Sequence, residues 1–99
     1  MTRSRALSRQ TLAVLSALAD ARAEWLYGLE LAERTELKSG SLYPILIRLD
    51  ERGLLESRWI EPSTPGRPPR HAYRILPGGL QALAEAQGPD SRRLRASLA

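Results

Sequence analysis

The sequence predicts a mainly helical domain carrying one small β-hairpin, and three observations lead there. Apolar residues recur at helical spacing through Leu12, Leu15 and Leu18, through Leu31 and Ala32, and through Leu42, Ile45, Leu46 and Leu49. Two short, weakly alternating runs, Leu54–Ile60 and His71–Leu76, flank the segment EPSTPGRPPR, which holds four of the chain's seven prolines and cannot be helical. Arg52-Gly53 stops the third helical pattern just before the first of those runs. Helix, helix, helix, strand, stiff loop, strand, helix is how a winged helix-turn-helix is written: three helices, a two-stranded wing and a C-terminal helix. Such an order predicts a DNA-reading element rather than an active site.

Each element follows from its residues. Ser8 is a good N-cap for a first helix running to about Ala21. Arg22 to Leu26 reads as a connection. A second helix starts near Tyr27 and ends about Thr35, with small residues at Gly28 and Ala32 that would let another helix approach closely. The third begins near Ser39 or Ser41, either of which can cap. With Ser41 as cap, Pro44 falls in the first turn, where its missing N–H costs nothing; with Ser39 as cap it removes one early helical bond. Gly53 then ends the helix at C′. The strands follow, and Pro77-Gly78-Gly79 breaks the hairpin before a last helix over about Leu80 to Ala86. Gly88-Pro89 reads as a second break. The resulting division is a basic N-terminal tail over 1–7, the winged-helix domain with its C-terminal dimerisation helix over 8–87, and a basic tail or helical extension over 88–99.

Size and charge narrow the function. Ninety-nine residues make one domain with one modest core. No apolar run approaches the roughly 18 residues of a membrane span. The N-terminus has no apolar stretch after its arginines and does not read as a secretory signal. Cysteine is absent, which removes thiol chemistry and fits a cytoplasmic protein. The net charge of +4 comes from the ends: Arg3, Arg5, Arg9, Arg92, Arg93 and Arg95 leave nine basic against eleven acidic residues between them. Within the body, Arg58, Arg67, Arg70 and Arg74 face a single acid, Glu61, between positions 58 and 74. One histidine, no paired carboxylates in an apolar setting and no phosphate-binding glycine loop argue against an enzyme, and no cofactor or metal is expected.

The residues also resemble a known family. Tyr27-Gly28, Leu31-Ala32, Ser39-Gly40-Ser41-Leu42-Tyr43-Pro44, Arg48-Leu49, Arg52-Gly53-Leu54, Gly66-Arg67-Pro68-Pro69-Arg70 and Tyr73-Arg74-Ile75 together look like the PadR family of transcriptional regulators, over about residues 10–85. The resemblance implies a dimeric winged-helix DNA binder, commonly a repressor whose operator is released on a ligand or stress signal. Longer relatives end in long dimerisation helices. This chain, with its interrupted end, resembles the shorter branch, in which the helix after the wing packs with the partner's first helix.

In a helix-turn-helix the second helix lies in the major groove with its N-terminal residues at base edges. Lys38, Ser39, Ser41, Tyr43 and Pro44 fall there, and Ile47 and Arg48 lie one turn on. Serine hydroxyls can donate to phosphate or bases, and Tyr43 offers a ring edge and a hydroxyl. The same serines can serve only as caps, and Tyr43 only as packing; the wing beside them favours DNA. Arg67 and Arg70, either side of Pro68-Pro69, suit a minor groove or its phosphates, the alternative being a solvated basic loop; His71 reads as a phosphate contact or as a solvent-exposed side chain. Trp25 and Trp59 read first as packing anchors; the alternative for Trp25, near the end of the first helix, is an apolar dimer groove that accepts a flat ligand. Leu12, Leu15, Leu80 and Leu83 are expected to share core and dimer seam. The expected partners are double-stranded DNA, a second copy of the chain and a small-molecule inducer, with no membrane. The rival function is a winged helix used as a protein-interaction module. The MarR and ArsR types are disfavoured by the short first helix and missing metal ligands.

Overall fold

The computed structural model describes residues 7–22 and 24–98, with side chains up to Gln87. The expected tail over 1–7 lies, except for Leu7, outside the described residues, as do the side chains of the tail expected over 88–99. The elements are α1 (Arg9–Asp20), β1 (Leu26–Tyr27), α2 (Gly28–Thr35), α3 (Ser39–Glu51), β2 (Leu55–Ile60), β3 (Arg70–Ile75) and α4 (Pro77–Leu98). The strands form one antiparallel sheet in the order β1-β3-β2. No helix among the described residues is long and apolar enough to cross a membrane.

Local chemistry sets most boundaries. Ser8 caps α1, its Oγ accepting from the Thr11 N–H at 3.1 Å. The Glu30 carboxylate reaches back to the Tyr27 N–H at 2.8 Å and holds the start of α2. After α2 the chain turns through Glu36 in the left-handed region, φ 60°, and Leu37 tucks against the core. α3 begins at Ser39, one of the two expected starts, but neither serine caps it: Lys38 is the N-cap, without a side-chain cap bond. Pro44 therefore sits beyond the first turn and has no N–H to offer the Gly40 carbonyl. At the other end Leu54 N–H bonds the Leu49 carbonyl at 2.9 Å and Gly53 N–H the Asp50 carbonyl at 3.0 Å. With Gly53 at φ 76° this is a Schellman close, as Arg52-Gly53 predicts.

Two elements differ from the sequence reading. β1 is unexpected: two residues carry no periodicity, and the strand exists because β3 offers an edge, pairing Leu26 with Tyr73 and Tyr27 with Ala72. α4 begins at Pro77 and runs unbroken through Gly88-Pro89 to Leu98. Pro77 suits a first helical turn, and Gly78-Gly79 is there for close approach rather than as a break. A Cβ on Gly79 would strike the Leu54 carbonyl oxygen, and one on Gly78 would lie 3.2 Å from the Gly53 carbonyl.

The core lies between α1, α2, α3 and the inner face of the sheet, with Leu15, Leu18, Leu31, Leu42, Leu46, Leu49 and Leu55 fully buried. Of the leucines expected to share core and dimer seam, Leu15 has no exposed surface and Leu83 almost none, and both belong to the protomer's own core. Leu12 is partly buried against that core, and Leu80 is 49% exposed on α4.

Candidate nucleic-acid interface

The core positions of α3 fix what the helix shows to solvent. With Leu42, Ile45, Leu46 and Leu49 inward, helical geometry turns Gly40, Pro44, Ile47, Arg48 and Glu51 outward. Lys38, Ser39 and Ser41 are exposed at its start. Ile47 is 58% exposed, the apolar centre of a polar face. Arg48 leans to the flank beside α1, where Arg48, Arg52, Ser8 and Thr11 line a shared cleft.

Tyr43 lies on the opposite flank, 40% exposed. Its hydroxyl does not project outward as the sequence reading expected: it occupies the space where a Cβ on Gly28 would sit. Gly28 thus accepts a close neighbour, as its small size predicts, and the neighbour is the Tyr43 side chain. Nearby, Ser57 Oγ donates to Asp50 Oδ2 at 3.0 Å and ties the end of α3 to β2. Tyr73 is buried beside this link. Its phenol pKa is pushed up to about 12, first by burial and then by the negative charge that Tyr43 and Asp50 place near it.

The hairpin register sorts the wing into two faces. Leu55↔Ile75, Ser57↔Tyr73 and Trp59↔His71 pair on the core side; Glu56↔Arg74, Arg58↔Ala72 and Ile60↔Arg70 pair on the outer side. Along the core side the apolar packing continues past the core as an aromatic ladder. The Trp59 and His71 rings stack at 4.4 Å and 10°, and Tyr73 follows at 4.7 Å with its hydroxyl hydrogen-bonded to His71 Nδ1 at 3.0 Å. His71, expected as a phosphate contact, is half-buried between these rings. Trp59, expected as a packing anchor, is 64% exposed.

The outer side is built from cations on rings. The Trp25 ring carries the guanidinium groups of Arg58 at 4.5 Å and Arg74 at 4.7 Å, and Arg70 sits 3.7 Å from the centre of the Tyr27 ring. Arg74 Nε also donates to Glu56 Oε1 at 2.8 Å. Ala72, at the centre of this face, is fully buried yet outside the core cluster, because the long side chains roof it. Trp25 follows α1 in the connection to β1, and its described neighbours are two guanidinium groups, where the sequence offered an apolar dimer groove as the alternative to packing. The cue available in the sequence was the alternation of Trp25-Leu26-Tyr27 and of Arg70-His71-Ala72-Tyr73-Arg74; the pairing that joins them was not.

The wing loop over 61–69 is exposed except for half-buried Pro62, and its prolines limit the backbone freedom lost on contact with a partner. Arg67 is exposed on it. Gly66 takes φ 89°, which glycine adopts without strain.

A helix-turn-helix whose second helix is open to solvent, followed by an exposed basic wing, defines the winged-helix class of DNA-binding regulators. The chain belongs to the transcriptional regulator PadR-like family, whose model matches residues 14–85. It is accordingly a DNA-binding transcriptional regulator and not an enzyme. Solved structures of similar fold include a PadR family regulator from Eggerthella lenta, 30% identical with a TM-score of 0.63, where 86% of this chain covers 76% of that one. A PadR family regulator from Clostridium difficile is 22% identical with a TM-score of 0.69, over 92% of this chain and 95% of that one. BpsR of Bordetella bronchiseptica, whose DNA binding is regulated by 6-hydroxynicotinic acid, is 21% identical with a TM-score of 0.68, over 97% and 67% of the two chains. No curated protein matches the chain.

Proposed function

We propose that the protein is a repressor acting as a homodimer on a palindromic operator. Each copy lays α3 in a major groove and its wing along the neighbouring minor groove. The observation that carries this reading is the exposed face of α3: an uncapped first turn, Lys38, Ser39 and Ser41 at its start, and Pro44, Ile47 and Arg48 beyond, with no other described element covering it. The Ser39 and Gly40 amides at the helix start favour a phosphate, the Ser41 N–H already donating to the Lys38 carbonyl. Ser39 and Ser41 offer hydroxyls to bases or backbone, and Ile47 offers an apolar contact to a thymine methyl. Tyr43 contributes its ring edge, its hydroxyl being engaged at Gly28. Arg67 and Arg70 supply phosphate attraction from the wing. His71 supports the exposed Trp59 ring from behind.

The second copy packs through α4 and α1, for which exposed Leu80 and half-buried Leu12 are the available apolar residues among those expected. A small-molecule inducer fits the regulation seen for BpsR. Selection of bound duplexes from a random pool tests the whole reading. A palindrome with half-sites about 34–36 Å apart, or a multiple of that spacing, is the expected result. Binding without sequence preference, lost in moderate salt, would instead mark a winged helix used as a protein-interaction module.

A further inference from the structure

Trp59 is the one large apolar side chain of the sheet that stands open to solvent among the described residues, and it is held in place while doing so. We propose that its free indole face packs on deoxyribose rings of the DNA strand that runs between the groove read by α3 and the groove entered by the wing. The contact rests on the DNA-bound arrangement proposed above and adds to it an apolar term that carries no charge.

Position is the first argument. β2 leaves the end of α3, where Ser57 Oγ donates to Asp50 at 3.0 Å. Tyr73 pairs with Ser57 across the hairpin and lies within reach of the charge on Tyr43 and Asp50. Trp59 and His71 form the next pair outward on that same side, roughly 7 Å further along the strand. Arg67 and Arg70 belong to the loop and strand end beyond them. The indole therefore stands between the α3 flank and the wing tip. A backbone strand must cross that interval when each element occupies its own groove.

Pre-organisation is the second. The His71 ring backs the indole at 4.4 Å and 10°, and His71 Nδ1 is in turn hydrogen-bonded to the Tyr73 hydroxyl at 3.0 Å. The Tyr73 phenol, its pKa pushed up to about 12, keeps its hydrogen and donates it, so neutral His71 carries its own on Nε2. A ring fixed before binding loses little rotamer freedom on contact. Chemistry is the third. The pairs Ser57–Tyr73 and Trp59–His71 place no cation on this side when His71 is neutral, and the chain continues into Glu61. Such a surface fits the apolar face of a sugar better than a phosphate. Sugar contacts position a protein on the duplex without reading bases.

The chain's two tryptophans make the contact measurable. The full chain with Trp25→Phe reports on Trp59 alone, and with Trp59→Phe on Trp25 alone. The probes are the duplex selected from a random pool and an unrelated duplex of equal length. Selected duplex should move Trp59 emission to the blue and reduce its quenching by acrylamide, with Trp25 unaffected. In a polarisation assay Trp59→Ala should weaken binding of both duplexes roughly tenfold, with the slope of log affinity against log salt unchanged. Trp59→Phe should keep most of the affinity. His71→Ala, which loosens the indole, should give part of the same loss, and His71→Phe should restore it. A parent-like urea midpoint identifies the variants that remain folded; Trp59 is 64% exposed, so its substitution is expected to leave the fold intact. Parent-like affinity in Trp59→Ala, or a flattened salt slope, overturns the contact. So does a loss confined to the selected duplex, which would mark a base contact. Protection of Trp59 that rises with protein concentration in the absence of DNA would mark a surface between copies and overturn it as well. A parent chain that binds no duplex overturns both readings, whereas one that binds its selected duplex with Trp59 unprotected overturns this contact alone.

Discussion

The exposed face of α3 carries Lys38 and Arg48 together with Asp50 and Glu51, set among serines, a proline and Ile47. The outer face of the sheet carries Arg58, Arg70 and Arg74 against Glu56, and every one of those arginines lies on an aromatic ring. One surface has hydroxyls and apolar edges with almost balanced charge; the other has concentrated positive charge held in place. Reading bases needs varied donors, acceptors and methyl-sized contacts at defined positions, whereas attraction to phosphate needs cations and tolerates imprecise register. The difference teaches that affinity and discrimination can be assigned to separate elements, joined through the core and the Ser57–Asp50 hydrogen bond.

The comparison can be broken or sharpened at several points. Gly79→Ala should do the most, because the added methyl meets the Leu54 carbonyl and Ile75 at the seam supporting both the wing and α4. A loss of about 3 kcal/mol in urea unfolding is expected, with both surfaces failing together. Tyr73 comes next. Its phenol stays protonated up to about 12 in the fold against 10.0 ordinarily, so the unfolded chain ionises first as pH rises. The associated stability is complete below pH 10 and lost between pH 10 and 12, by about 1.4 kcal/mol for each unit of pKa difference. Urea midpoints at pH 9 and 11 check this, and Tyr73→Phe should remove that component of the pH dependence.

Arg67→Ala with Arg70→Ala separates the two surfaces directly. Affinity should fall for every DNA sequence, and the slope of log affinity against log salt should flatten by about two, while base preferences persist. An unchanged slope would return the wing to being a solvated loop. Gly28→Ala acts on the reading side alone: the new methyl displaces the Tyr43 hydroxyl, at a cost of about 1–2 kcal/mol, and should alter base preference more than salt dependence. Adding Tyr43→Phe should recover part of the loss. The smallest effect is expected from Trp25→Ala, which frees Arg58 and Arg74 and costs about 1 kcal/mol in urea unfolding.

Legibility in the sequence followed the range of the forces involved. The three-helix pattern, the Ser8 cap, the Gly53 close and the non-helical wing were readable because each depends on residues within a few positions of one another. The cap of α3 was not legible, because both serines are credible caps. Burial of Leu37 and the left-handed turn at Glu36, which no glycine announces, fixed Lys38 instead. Gly78-Gly79 and Gly88-Pro89 were read as breaks from propensity alone. The first pair is needed for packing on Gly53 and Leu54, and α4 continues through the second. The wing arginines were visible as a cluster, but Trp25 and Tyr27 stand more than thirty positions before Arg58, Arg70 and Arg74 meet them.

By itself, then, the sequence determined the order of the helices and the two wing strands, the inward face of each helix and the residue types at the start of α3 and on the wing. Periodicity, capping and proline act locally and leave their mark on neighbouring positions. Only the tertiary structure decided that Tyr43 turns its hydroxyl to Gly28, that Trp59 is open while His71 is half-buried, that Leu15 and Leu83 belong to the core, and that arginines stack on rings outside the sheet. Those outcomes depend on the β1-β3-β2 pairing and on the close seat of α3 and α4. Both bring together residues far apart in the chain, and nothing in a local pattern records such distances.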